Sequence, residues 1–247
     1  MLAAALKKLI HRPVVYPPAP AGQIIYVVGD IHGRADLLRM SLERIDRDYA
    51  LRSHEGEKIE VFLGDYVDRG PATAQVIATL IERASCAQTV FLRGNHEQIM
   101  LSFLAEQVSL EEWATLGGLP TLLSYGVSVR PKDMAKVQTA AWRAIPDDHK
   151  LFLSRTHSYC RFGAYLFVHA GIRPGVAIEA QRESDLFWIR EEFLNFPNDF
   201  GFVVVHGHTP VPQPDFLTNR VNIDTGAFIT NKLTTIRICS HGVSIIN

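Results

Sequence analysis

Five stretches of the chain share one pattern. Each is a short, almost continuous run of Val, Ile, Leu, Phe or Tyr, followed by a side chain able to bind a cation with a glycine beside it. They are "IIYVVGD" ending at Asp30, "IEVFLGD" ending at Asp65, "TVFLRGN" ending at Asn95, "YLFVHAG" carrying His169 and "FVVVHGH" ending at His208. Apolar runs of this length flanked by glycine are strands buried on both faces. Between the first three, helical spacing of apolar positions covers roughly residues 33–49, 71–84 and 96–105. Strand and helix alternating about every 30 residues is the rhythm of parallel βαβ units. Binding sites in such sheets form beyond the carboxyl ends of the strands, which places Asp30, Asp65 and Asn95 along one edge.

The pattern changes at residue 106. From there to 155, helical patches with turns, among them "EEWATLGGLPTLLSYGV" and "DDHKLFLSR", predict a helical insertion or cap. "THSYCRFGAYLFVHAG" then reads as a hairpin whose second strand delivers His169. The tail, with "FVVVHGH", "RVNIDTGA", "KLTTIRICS" and "GVSIIN", suits a second, mostly antiparallel sheet. The expected fold is α/β, two packed mixed sheets flanked by helices with a small helical insertion.

Composition bounds this picture without changing it. The chain has 247 residues, 47% hydrophobic and 21% charged, enough for a sizeable core. A formal charge of -1 gives no global attraction to nucleic acid or to an anionic membrane, so any anion site must be local. Three distant cysteines, Cys86, Cys160 and Cys239, suggest neither a disulfide framework nor a CxxC metal site, and point to reduced thiols and a cytoplasmic location. "MLAAALKKLIHRP" is too short and too interrupted by charge for a secretory or membrane-spanning segment; it reads as a frayed or surface helix, with a membrane-lying amphipathic helix as the rarer alternative. "RPVVYPPAPAG" contains four prolines and reads as an extended linker. The expected division is therefore 1–22 as extension and linker and 23–247 as one catalytic domain, with 106–155 as its insertion.

One histidine on a strand is ordinarily a core or surface residue. Two aspartates, one asparagine and three histidines at successive strand ends are a different matter. Side chains two apart on an extended segment point the same way, so Asp30 and His32 can hold one ion. A mixed oxygen and nitrogen donor set suits Mn, Fe or Zn better than Mg or Ca. With no sulfur donor and an aspartate available to bridge, the set suits a pair of ions about 3.5 to 4 Å apart, able to clamp a phosphate and activate a water. The chemistry suggested is hydrolysis of a phosphoester.

The ordered motifs "GDIHG", "GDYVDRG", "GNHE", "HAG" and "GHT" resemble the signature of the phosphoprotein phosphatase family of calcineurin-like metallophosphoesterases, over residues 24 to about 228. "WATLGGLPTLLSYG" and "DLFWIREEFL" further resemble its short bacterial branch. The resemblance implies that Asp30 and His32 hold one metal, that Asp65 bridges, and that Asn95, His169 and His208 complete the second. It implies His96 as proton donor to the leaving group, Asp68 as the carboxylate that orients it, and Arg69, Arg190 and Asn95 as phosphate binders. For Arg190 the alternative is charge balance with Glu191 and Glu192. Two divalent ions, with Mn as the expected metal and Fe or Zn as alternatives, and a phosphorylated protein or peptide substrate follow from the same resemblance.

His206 falls outside the ligand set and is expected to be structural or to support a ligand. His54, His149, His157 and His241 have no motif context and are assigned to surface or core. Pro210 stands where nucleotide-cleaving relatives often carry a further histidine, which favours a protein serine/threonine phosphatase. Two rivals remain: a diadenosine tetraphosphate hydrolase built from the same motifs, and a non-catalytic phosphoprotein-binding module, disfavoured by complete retention of the ligands with Asp68, Arg69 and His96.

Overall fold

The computed structural model describes residues 14–129 and 134–246; the basic segment at residues 1–13 lies outside them. The strand-helix rhythm gives β1 Gln23–Val28, α1 Ala35–Arg52, β2 Glu57–Phe62, α2 Thr73–Cys86, β3 Gln88–Phe91 and α3 Asn95–Leu104. Four more helices follow, α4 Leu110–Thr115, α5 Leu119–Ser124, α6 Met134–Ala144 and α7 Asp147–Ser154. The remainder is β4 Tyr159–Phe162, β5 Tyr165–Val168, α8 Glu183–Trp188, α9 Glu191–Leu194, β6 Val203–His206, β7 Asp215–Phe216, β8 Arg220–Asn222, α10 Ala227–Thr230, β9 Thr235–Cys239 and β10 Gly242–Ile245.

Two five-stranded sheets pack face to face, with strand orders β10-β9-β1-β2-β3 and β4-β5-β6-β8-β7. The period of two along each strand sorts side chains into three layers. Ile25 and Val27 of β1, with Ile59 and Val61 of β2, meet Tyr165, Phe167, Val203 and Val205 between the sheets. Ile24, Tyr26 and Val28 face the other way, into a core formed with α1, α2 and α3. Leu166, Val168 and Val204 face α8 and α9 on the outer side of the second sheet.

Three expectations change. The tail does not form one antiparallel sheet. β9 pairs antiparallel with β1, and β10 with β9, so both extend the first sheet. The second sheet is mixed, as expected of both sheets: β5, β6 and β8 run parallel while β4 and β7 pair antiparallel at its edges. Nor is 106–155 a detached cap, because Trp113, Leu122, Val137, Ala141 and Leu153 belong to the same core as α1 and α2. The proline-rich run is extended but fastened to the domain: Ala19 N–H donates to the Cys239 carbonyl at 3.0 Å, and the Tyr16 hydroxyl donates to the Leu217 carbonyl at 2.9 Å.

Glu60 sits in the middle of β2, fully buried, and Arg83 of α2 donates to its Oε2 from Nε at 2.8 Å, with Lys58 Nζ 3.1 Å from Oε1. Arg83→Met would remove the charged hydrogen bonds to Glu60 and leave Lys58 as its remaining cation, so it is expected to lower unfolding free energy by about 2 kcal/mol, read as a shift of the urea midpoint at unchanged slope.

Candidate active site

β1, β2 and β3 run parallel in adjacent positions, so their carboxyl ends deliver Asp30, Asp65 and Asn95 to one edge. β5 and β6 deliver His169 and His208 from the facing sheet. All of these, with His32, His96 and Asp68, are buried. Two glycines make room. A Cβ on Gly94 would lie 2.1 Å from Asp65 Oδ1, and one on Gly207 would lie 2.0 Å from Asp30 Oδ1, so no other residue lets the backbone pass this close to the carboxylates.

Asp65 is at the centre. Its Oδ2 lies 3.4 Å from His32 Nε2 and 3.9 Å from His96 Nε2, and its Oδ1 lies 3.4 Å from His169 Nε2. Asn95 Oδ1 stands 3.0 Å from His169 Nε2 and 2.9 Å from His208 Nδ1. Backbone carbonyls accept from the far ring nitrogens, Val67 from His32 Nδ1 at 2.9 Å and Leu63 from His169 Nδ1 at 3.0 Å. That fixes the tautomer and turns each Nε2 lone pair toward Asp65, the arrangement of a metal-binding histidine. Asp30 Oδ2 accepts the His208 N–H at 3.0 Å, while its Oδ1 is buried with no hydrogen-bond partner.

The electrostatics suit a cation. Burial, then Asp224 and Asp65, push Asp30 well above the carboxylate range. Burial and Asp65 push Glu97 up to about 7, and burial pushes Asp224 up to about 6. Burial lowers His32 to about 3 and His208 to about 2, so both rings are neutral and free to ligate. Burial opposes charge on Asp65 as well, but the imidazoles around it, His169 and His96 foremost, outweigh it and bring this carboxyl below its ordinary range. Orphaned buried oxygen, neutral imidazoles and crowded acids are what a cationic centre would compensate. His32, Asp65 and His96 form one group of potential ligand atoms within 4.8 Å of one another, and Asp65, His169 and His208 another.

His96 differs from the other rings. Its Nδ1 lies 2.7 Å from Asp68 Oδ2, its Nε2 has no hydrogen-bond partner, and although burial opposes charge, Asp65 and Asp68 together raise its pKa. Asp68 is held in turn by the Trp113 indole N–H at 3.0 Å and the Thr121 hydroxyl at 2.9 Å. Arg69 points Nη1 to within 3.0 Å of His32 Nε2 and lies 4.7 Å over the Phe228 ring. Arg190 stands at the opposite side, donating from Nε to His208 Nε2 at 3.2 Å. It faces the cluster, not its neighbours: Glu191 pairs with Asn195 and Glu192 with Arg173. His206 points away, edge-on to Phe193 at 4.9 Å, and stays outside.

Four residues that sequence reasoning gave no role also serve the site. Glu97 accepts the N–H groups of Asp65 and Gly94 at 2.8 Å each, of Tyr66 at 2.7 Å and of Val67 at 3.2 Å, locking the loop after β2. Its signal was present as the last letter of "GNHE". Asp224 follows β8 at the same sheet edge, an acid after an apolar run. Trp113 and Thr121 left no local signal. Strain marks the site too: His32, Asp65, Asp68, Arg69 and His208 are five of the seven non-glycine residues with positive φ among the described residues. Such conformations persist where surrounding structure imposes them, and they cluster at functional sites.

Taken together, fold and cluster define a phosphoesterase built around side chains able to ligate metal. The chain belongs to the calcineurin-like phosphoesterase family, whose profile matches residues 24–241. It is a hydrolase of a family that works with divalent metal ions. Among similar proteins is a bis(5'-nucleosyl)-tetraphosphatase (asymmetrical) of Anoxybacillus flavithermus, 27% identical over 85% of this chain and 89% of that protein. The protein of the same name in Bacillus subtilis is 24% identical over 85% and 89%. Solved structures with this fold include one named provisionally as a diadenosine tetraphosphatase, at TM-score 0.64 and 17% identity over 94% of this chain and 96% of that one. A protein-tyrosine phosphatase of a psychrophilic Shewanella aligns at TM-score 0.54 and 16% identity, over 96% and 83%. The curated relatives thus carry the name of the rival reading of the sequence, not of the serine/threonine phosphatase. No helix among the described residues is long and apolar enough to cross a membrane.

Proposed function

We propose that the chain hydrolyses a phosphoric anhydride bond of a dinucleoside tetraphosphate, using two divalent cations, with Mn as the expected metal. The observation that carries this reading is an arginine and an aromatic ring at each end of the cluster. Arg69 lies over half-buried Phe228 beside His32, while Arg190 and half-buried Trp188 each stand beside His208, the Trp188 and His208 rings 6.2 Å apart. Guanidinium groups suit phosphate oxygens, and aromatic faces suit bases, so each arm can take one part of a phosphate chain with a nucleoside at its end. The full-length similarity to named tetraphosphatases supports the same substrate.

The residues present fit the metals. Asp30 and His32 would hold one, Asn95, His169 and His208 the other, and Asp65 both. Bound there, the ions would polarise the phosphoryl group and supply a nucleophile at neutral pH. The chain's own contribution is to fix the phosphoryl oxygens with Arg69 and Arg190, and to hold a proton on His96 for the leaving oxygen, with Asp68 setting the orientation of that ring. Three unpaired cysteines support a reducing, cytoplasmic setting.

A second reading, hydrolysis of phosphoserine or phosphothreonine in a protein, is favoured by the His96–Asp68 pair, because a charged imidazole helps an alkoxide leave more than it helps a nucleotide phosphate. A substrate panel at fixed metal, diadenosine tetraphosphate beside phosphoserine, phosphothreonine and phosphotyrosine peptides, separates them. The expected products are ATP and AMP from the dinucleotide, abolished by chelator. Faster turnover of phosphopeptides would replace the first reading by the second, and no turnover of either would leave a binding module.

Trp113→Phe probes the support of Asp68. Losing an N–H donor to a carboxylate is worth about 1.5 kcal/mol, so kcat is expected to fall about tenfold with KM and metal content unchanged. An unchanged kcat would detach the indole from catalysis.

A further inference from the structure

We propose that Glu55, Cys239 and His241 form a separate, thiolate-containing site for a zinc-class divalent cation. One potential ligand atom from each lies within 4.8 Å of the others. Three separate elements bring them together. Glu55 ends the 3-10 turn Ser53–Glu55 that follows α1, Cys239 is the last residue of β9, and His241 sits in the turn before β10. The place is remote from the phosphoesterase cluster. β9 runs antiparallel to β1 with Thr235 opposite Val28 and Ile238 opposite Ile25, so Cys239 lies at the end of the sheet away from Asp30.

Each ligand shows a reason to receive a cation. Glu55 Oε1 accepts from Arg52 Nη1 at 3.0 Å, whereas its Oε2 is buried with no hydrogen-bond partner. Cys239 is unpaired and 2% exposed, and Arg237 stands two residues before it on the same face of β9. Arg237 is itself neutralised by Asp48, to which Nη1 donates at 2.7 Å. His241 Nδ1 stands 4.0 Å from Cys239 Sγ. Zinc bonds of about 2.3 Å to sulfur and 2.0 Å to nitrogen separate those atoms by about 3.6 Å in a tetrahedron. His241 is exposed on its turn and can close the difference by rotating, leaving the Ser240 hydroxyl that now lies 3.0 Å from Nδ1.

The charges balance: a thiolate and a carboxylate neutralise a dication, the imidazole binds neutral, and the thiol proton leaves to solvent. Sulfur, nitrogen and oxygen donors select a zinc-class ion over Mg or Ca. Three protein ligands with one of them solvent-exposed leave the fourth position to water. Such an ion would staple the end of α1 to the β9–β10 turn without touching the chemistry at the other end of the sheet.

Co²⁺, which takes zinc's coordination and gives a thiolate charge-transfer band in the near ultraviolet, reads this site selectively. The phosphoesterase cluster offers only oxygen and nitrogen and is silent, and burial pushes the Cys160 thiol up to about 12, which keeps it protonated. Titration of the full chain should give the band in the wild type and in Cys86→Ser, lose it in Cys239→Ser, and lose it again when Zn²⁺ is added. Glu55→Gln and His241→Ala should each weaken Co²⁺ binding at least about tenfold, with turnover of a small phosphate substrate unchanged. Since Cys239 is buried, these two variants decide the matter if Cys239→Ser does not fold. No band in the wild type under excess Co²⁺, or undiminished affinity in both Glu55→Gln and His241→Ala, would overturn the proposal.

Discussion

Asp65→Asn is expected to abolish turnover, a fall of at least about 10³, and to leave fewer than two metal ions per chain. The carboxylate lies within 4 Å of three imidazole nitrogens, those of His32, His96 and His169. On the proposed assignment it is shared by both cations, so its loss leaves their mutual repulsion uncompensated. Metal-ion catalysis is worth several kcal/mol, and each 1.4 kcal/mol is a factor of ten. Asparagine is the better substitute here than alanine. Asp65 has φ of 51° and its Oδ1 accepts the His96 N–H at 3.2 Å. Asparagine tolerates that left-handed backbone and keeps the acceptor, so the change removes charge with little else. Elemental analysis, beside circular dichroism to check the fold, reads the outcome. Two ions per chain in a folded, inactive variant would take Asp65 out of the bridging position.

How much of this was legible in the sequence depends on the range of the interaction. Strand ends were legible, because a buried parallel strand announces itself by an unbroken apolar run, and Asp30, Asp65, Asn95, His169 and His208 all stand at such ends. α1, α2 and α3 begin and finish within two or three residues of the boundaries read from periodicity. Sheet membership was not legible. "KLTTIRICS" has the same composition whether it pairs with β8 or crosses back to β1, and only the long-range pairing of Ile25 with Ile238 and of Val28 with Thr235 decides it. The support of Asp68 was hidden for a related reason: Trp113 and Thr121 lie 45 and 53 residues away, in helices whose own pattern says only that they are amphipathic. Asp224 escaped because β8 is three residues long and its acid has no glycine before it. The strain at His32, Asp65, Asp68, Arg69 and His208 is a property of how the loops close, and no residue type reports it in advance.

His96→Asn is expected to separate metal binding from proton transfer. The variant should fold and keep both metals, since Asn fits the first turn of α3 and His96 Nε2 makes no contact that holds the structure. If the imidazole, held protonated by Asp65 and Asp68, donates its proton to the leaving oxygen, the cost depends on how much that oxygen needs it. An alkoxide departs badly without a proton, so turnover of a phosphoserine peptide should fall by about 10² to 10⁴. Nitrophenolate and a nucleotide phosphate are weak bases and leave with little help, so nitrophenyl phosphate and diadenosine tetraphosphate should lose distinctly less. Asp68→Asn should reproduce the same ranking more weakly, because it disturbs only the orientation and charge of the ring it holds at 2.7 Å. Arg69→Ala should damage all three substrates alike, since it acts on the phosphoryl oxygens they share. The ranking, not the size of any single loss, is the readout. Equal losses on all substrates for His96→Asn would remove its role as proton donor and leave it a charged clamp on the phosphoryl group.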